Sequence, residues 1–142
     1  MNASADQAAI RGIVAALHKG LHDRDAAAIT AHYEPDAAIF DLAPPLSHTV
    51  DRAGLAAWLG TWQGPVEREA KELGLTTSGD LAVWHGYFHT SATTPGGENA
   101  AWWERATIVF RRAGDGWKIV QEHTSVRFRM DGSFLAATDL TP

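Results

Sequence analysis

The stretch from Tyr33 to Asp41, YEPDAAIFD, ends in an acid where an apolar strand would otherwise continue. Ala37, Ala38, Ile39 and Phe40 read as a short buried strand, so the Asp41 carboxylate stands at the edge of an apolar interior. There it can serve as a general base toward a proton beside a carbonyl, because partial desolvation raises its pKa toward useful values. It can equally cap the turn before Ala43-Pro44-Pro45 by accepting a backbone N–H. Arg105 offers a fixed fork of donors to a carboxylate or enolate, and His123 can give or take a proton near neutral pH. Both have an architectural alternative, in which Arg105 pairs with a buried carboxylate such as Glu104 or Glu122 and stitches the sheet.

The rest of the chain must position these groups. Ser4 and Gln7 form a capping-box pattern, after which Ile10, Ile13, Val14, Leu17 and Leu21 recur at helical spacing through about His22. Asp25 is placed to cap a second, shorter helix through His32, stopping before Pro35. Asp51 is placed to cap a third, with Leu55, Trp58, Leu59 and Trp62 on one side, ending at Gly64-Pro65. From Val66 the pattern changes to four long runs of strand formers, at about 66–77, 81–93, 100–112 and 117–129, divided by SGD, TPGGEN and AGDG turns. Helices followed by an antiparallel sheet make an α+β chain. Along the third run, alternation puts Arg105, Thr107 and Val109 on one face and Glu104, Ala106, Ile108 and Phe110 on the other.

Composition narrows the classes of function. A chain of 142 residues with 45% hydrophobic and 20% charged residues has the makeup of one globular domain. Its formal charge of -5 and scattered Lys and Arg argue against nucleic-acid and anionic-membrane partners. The absence of cysteine and of an export leader fits a cytoplasmic location. His18/His22 and His85/His89 are spaced to share a face, yet a catalytic zinc needs a third ligand that no spacing signals, so no metal is expected. Six tryptophans are many for this length. Trp58, Trp84 and Trp117 fit core positions, and adjacent Trp102 and Trp103 must point to opposite faces of one strand, one of them offering a flat wall to a cyclic ligand.

Three segments, DRDAAAITAHYEPDAAIFD, SGDLAVWHGYF and RATIVFRRAGDGWKIVQEHTS, together resemble the SnoaL-like and ketosteroid-isomerase-like branch of the nuclear transport factor 2-like superfamily. The resemblance runs from about Gln7 to Phe128, leaving a short flexible C-terminal tail on a single domain. It implies a cone in which three N-terminal helices pack on a curved antiparallel sheet around a pocket, and it implies a homodimer. Asp41 falls where similar isomerases carry their general base, while Leu17 replaces the helix tyrosine of their oxyanion hole and the strand near Thr107 and Ile108 lacks their acid.

The residues and the resemblance together imply a cofactor-free enzyme moving protons on an apolar, cyclic, carbonyl-bearing metabolite, as isomerase, cyclase or dehydratase. Asp41 is the expected base, His123 the proton donor and Arg105 the anion stabiliser, with Tyr33, Leu17, Trp58, Trp103 and Thr107 at the substrate. The alternative is a dimeric module that binds a small ligand without turning it over. Convergence of Asp41, His123 and Arg105 on one cavity distinguishes the two; a cone filled by its own tryptophans would exclude both.

Overall fold

The computed structural model describes residues 2–142. Helix α1 (Ala3–Asp23) is started by Asn2, whose side chain accepts the Ser4 amide at 2.9 Å, so the cap lies two residues before the expected Ser4. Its buried stripe, Ile10, Val14, Leu17 and Leu21, lies on the sheet, and each such side chain contributes about 1.5–3 kcal/mol when fully buried. Gly20 lets the next helix come close: a Cβ there would sit 2.5 Å from Ile29 Cγ1. Asp25 caps α2 (Ala26–Thr30) as expected, accepting the Ala28 amide at 3.0 Å. The helix stops earlier than the sequence implies, because the His32 carbonyl accepts the Ile119 amide at 2.8 Å and the chain is already entering the sheet. Asp51 caps α3 (Arg52–Gly60) through the Gly54 amide at 2.9 Å.

The five-stranded sheet has the order β1-β5-β4-β3-β2. Strands β2 (Glu67–Ser78), β3 (Leu81–Thr93), β4 (Asn99–Ala113) and β5 (Gly116–Ser125) pair antiparallel, joined by the three turns read from the sequence. At the edge, β1 (Tyr33–Phe40) runs parallel to β5 and starts four residues earlier than its apolar core suggests. The concave face carries Ala82, Trp84, Phe88, Thr90, Ala106, Ile108 and Phe110, all buried. Gly86 shares that face, and a Cβ there would lie 2.3 Å from the Lys71 carbonyl oxygen and 2.9 Å from the Trp84 ring. The Trp84 ring occupies that space and stacks on Phe88 with centroids 5.3 Å apart.

Two bulges decide which side chains face inward. In β2, Glu72 pairs with Gly86 but Gly74 pairs with His85, leaving Leu73 unpaired. In β5, Ile119 pairs with Phe110 but Gln121 pairs with Val109, leaving Val120 unpaired. An extra residue shifts the two-residue alternation by one. Trp117 and Ile119 therefore face the core, and beyond the bulge Glu122 and Thr124 do, opposite Ile108 and Ala106.

Beyond Ser125 the chain does not continue as the expected strand to residue 129, nor does it trail away as a tail. It turns back on itself, with Arg129 and Leu135 joined backbone to backbone at 2.7 Å and Ala137 buried. At the other end of the sheet Arg112 fixes α1 by a two-pronged bond to Asp6, at 3.1 and 2.9 Å, and lies 4.4 Å over the Trp117 ring. Gly86→Ala is expected to destabilise the fold by about 1–3 kcal/mol, since either the β2 backbone or the Trp84 ring must move. Urea unfolding of the variant checks this, and an unchanged midpoint would refute the close packing assigned to Gly86.

Candidate active site

The helices, the segment from Asp41 to Asp51 and the concave sheet enclose a cavity of about 660 Å³. Leu17, Ile29, Ile39 and Phe88 give it apolar walls, and Trp58, Trp62 and Trp102 form an aromatic corner, with ring centroids 5.9 Å apart in the first pair and 6.4 Å in the second. The tryptophans line the cone without filling it.

Several of its polar groups lie on the sheet, and His18 comes from α1. The Tyr33 hydroxyl donates to Glu122 Oε2 at 2.7 Å, while Oε1 is left without a protein partner on a residue that fronts the cavity. Burial raises the Glu122 pKa above the usual glutamate range, and the Tyr33 bond and the Arg68 charge only partly oppose that. Tyr33 is pushed well above an ordinary phenol, first by burial and then by the neighbouring Glu122 charge, so it stays a neutral donor. Arg68 reaches Glu104 at 3.1 Å and Thr90 Oγ1 at 2.8 Å, and it lies 5.1 Å from the Phe88 ring centre. Glu104 is almost completely buried and also accepts the Trp102 indole N–H at 2.7 Å. The charge of the arginine is thus balanced inside the protein. His18 packs edge-on against Phe88 at 4.8 Å. Burial, and then the Arg68 charge, lower its pKa to about 3, so its ring is neutral.

A model of the SnoaL-like domain matches residues 10–129. The chain belongs to the SnoaL-like domain family. No curated protein matches it. Among solved structures it is similar to a nuclear transport factor 2-like protein of unknown function from Pseudomonas putida KT2440, at 28% identity and a TM-score of 0.79 over 100% of this chain and 99% of that one. A "putative dehydratase" of the same superfamily from Streptomyces avermitilis aligns at 16% identity and a TM-score of 0.77, over 87% of this chain and 97% of that one. A "putative aromatic ring hydroxylase" from Novosphingobium aromaticivorans aligns at 18% identity and 0.74, over 88% and 91%. The last two likenesses establish the shared fold.

Within this SnoaL-like cone, the residues singled out by sequence separate into two groups. Asp41, Tyr33, Leu17 and Trp58 line the cavity. Asp41 stands at its mouth with 54% of its side chain exposed, accepting the Leu42 amide at 2.8 Å and lying 3.6 Å from His48 Nε2. The backbone N–H contact foreseen for a turn cap is made, and the same side chain fronts the cavity mouth. Arg105, His123, Trp103 and Thr107 are on the opposite, outer face. Arg105 is exposed and donates to Ser125 Oγ at 3.0 Å, while His123 is exposed with its ring 5.3 Å from Phe40. The convergence of Asp41, His123 and Arg105 therefore does not occur. The bulge at Val120 is the cause for His123, and the inward alternation of Glu104, Ala106 and Ile108 is the cause for Arg105, Thr107 and Trp103.

In their places the family cone has Glu122, Glu104 and Trp102, each next to a residue chosen by sequence. Glu104 and Glu122 do act as buried carboxylates, but their partners are Arg68 and Tyr33 rather than Arg105. Glu122, the cross-strand partner of Ile108, brings a β5 carboxyl to the cavity next to the β4 position that lacks one. Arg68 carried no signal beyond lying in a strand. His18, spaced in the sequence to share a helix face with His22, is in the cavity wall, whereas His22 is exposed, 2.6 Å from Glu67.

A neutral His18 ties stability to pH. Its pKa is depressed in the folded protein and near 6.5 in the unfolded chain, so the stability is present above 6.5 and is lost as pH falls toward 3. Between pH 7 and pH 5 that loss is about 2 kcal/mol. Denaturant unfolding at the two pH values is expected to show this extra loss in the native chain and not in His18→Phe; an equal pH slope in both would refute it.

Proposed function

We propose that this SnoaL-like chain is a small-molecule enzyme that moves a proton on an apolar, cyclic, carbonyl-bearing metabolite within its conical cavity. The observation that carries the reading is the Glu122 carboxyl, held by Tyr33 and shielded by protein inside a mostly apolar space large enough for a ring compound. A carboxylate whose basicity is raised by burial is suited to take a proton from carbon beside a carbonyl and return it elsewhere on the ligand. Returning it to another carbon is isomerisation; returning it to a departing hydroxyl is dehydration. The "putative dehydratase" among its structural neighbours is in keeping with the second.

Glu122 Oε1 takes the proton in this reading, and Tyr33 fixes the carboxyl through Oε2 while remaining neutral. Asp41 is the second carboxyl, set in water at the mouth with His48 beside it. Two carboxyls in unlike surroundings can divide acid and base roles, and Asp41 is assigned the exchange of protons with solvent. A binding module that does not turn its ligand over is the second reading. It is favoured by the exposure of Asp41 and by the outward placement of Arg105 and His123.

Exchange of ring-ketone α-protons into heavy water, followed by NMR across a panel of cyclic ketones, separates these readings. Glu122→Gln is expected to lower the exchange rate of an accepted ketone by roughly a hundred- to ten-thousand-fold with its affinity retained. Asp41→Asn should lower it far less. The rate should climb with pH through a midpoint above the ordinary glutamate range, because Glu122 must be ionised to act as base. An unchanged rate in Glu122→Gln would sink this assignment, and ketones that bind without exchange would favour the binding module.

A further inference from the structure

Among the described residues two buried side-chain polar atoms have no hydrogen-bond partner, Nε2 of His18 and Nε1 of Trp62. Both residues line the same cavity. Buried polar atoms in folded proteins are nearly always paired, because leaving one bare forfeits its interaction with water. Two further indoles on this face obey that rule: Trp84 donates to Glu72 at 3.0 Å and Trp102 to Glu104 at 2.7 Å. Two exceptions in one cavity mark places where the ligand supplies the partner.

The chemistry of the two atoms differs. An indole N–H only donates, so Trp62 requires an acceptor such as a carbonyl or hydroxyl oxygen. His18 is neutral, and its Nε2 donates or accepts according to tautomer, so a hydroxyl satisfies it in either form. Charge narrows the class further. Arg68 is the only Lys or Arg among the lining residues, and Glu104 already balances it at 3.1 Å. Asp41 and Glu122 add carboxyl groups, so an anionic ligand would meet repulsion and no free cation.

We infer that the cavity takes an uncharged ring compound bearing two oxygen functions, one accepting from the Trp62 N–H and the other, a hydroxyl, meeting His18 Nε2. This rests on reading the cavity as a ligand site and makes no use of Glu122 as a base.

Calorimetric titration of the full chain with tetralin, α-tetralone, a hydroxylated α-tetralone and a carboxylated α-tetralone tests it. The hydroxylated ketone is expected to bind about tenfold more tightly than tetralin, and the carboxylate at least about tenfold more weakly than the hydroxylated ketone. Trp62→Phe and His18→Phe should each weaken the hydroxylated ketone by about fivefold and leave tetralin unchanged. In nitrogen-15 spectra, the indole N–H resonance that disappears in Trp62→Phe should be one that this ketone shifts in the native chain.

Equal binding of the carboxylate and the hydroxylated ketone would overturn the inference, and so would variants that weaken tetralin as much as the ketone. If a variant does not fold, the order of affinities in the native chain decides by itself. No binding by any probe would overturn the proposed function as well, whereas Glu122-dependent exchange without the affinity order would overturn this inference alone.

Discussion

Val120 has no cross-strand partner, and the content of the cavity depends on that one extra residue. A strand presents alternate side chains to each face, so inserting one residue exchanges the two sets from that point onward. Without the bulge, the parity set by Trp117 and Ile119 would turn Gln121 and His123 inward and Glu122 outward. With it, a carboxyl meets Tyr33 inside the cone and the imidazole meets Phe40 outside. The bulge thus selects the chemistry of the cavity while leaving the hydrophobic core beneath it, Trp117, Ile119 and Phe110, undisturbed.

A second constraint is the balance of charge on the concave sheet. Arg68 and Glu104 lie on nonadjacent strands, β2 and β4, and meet above β3, with Thr90 of β3 and Trp102 of β4 taking up further hydrogen-bonding capacity. Removing one partner of such a buried pair leaves an uncompensated charge, which is far costlier than exchanging both for apolar groups. The pair therefore links strands β2, β3 and β4 at the cavity floor. It also sets the field in which His18 stays neutral, since the guanidinium adds to the effect of burial there.

The cavity exists because the largest inward side chains are packed against one another and not across the cone. Trp84 lies over Gly86 and against Phe88, and Trp58, Trp62 and Trp102 gather at one corner. The curved sheet and the helices above it keep the remaining volume open. Among the described residues no helix is long and apolar enough to cross a membrane.

Local periodicity and residue types at fixed spacing were enough to give the order of three helices and four long strands, the two aspartate caps at Asp25 and Asp51, the turns and the family. The sequence also brought Tyr33 and Asp41 to attention, since β1 leads directly into the cavity mouth. The division of β4 into two faces was legible in full, but which face turned inward was not, because both carry apolar and polar residues. Glu104 and Glu122 were named from the sequence only as possible partners of Arg105, and their actual partners came from β2 and β1, across distances in the chain that no local pattern spans. The bulge at Val120 was likewise hidden: an unpaired residue is defined by the neighbouring strand, and only the assembled sheet decided that Glu122, and not His123, would face the cavity.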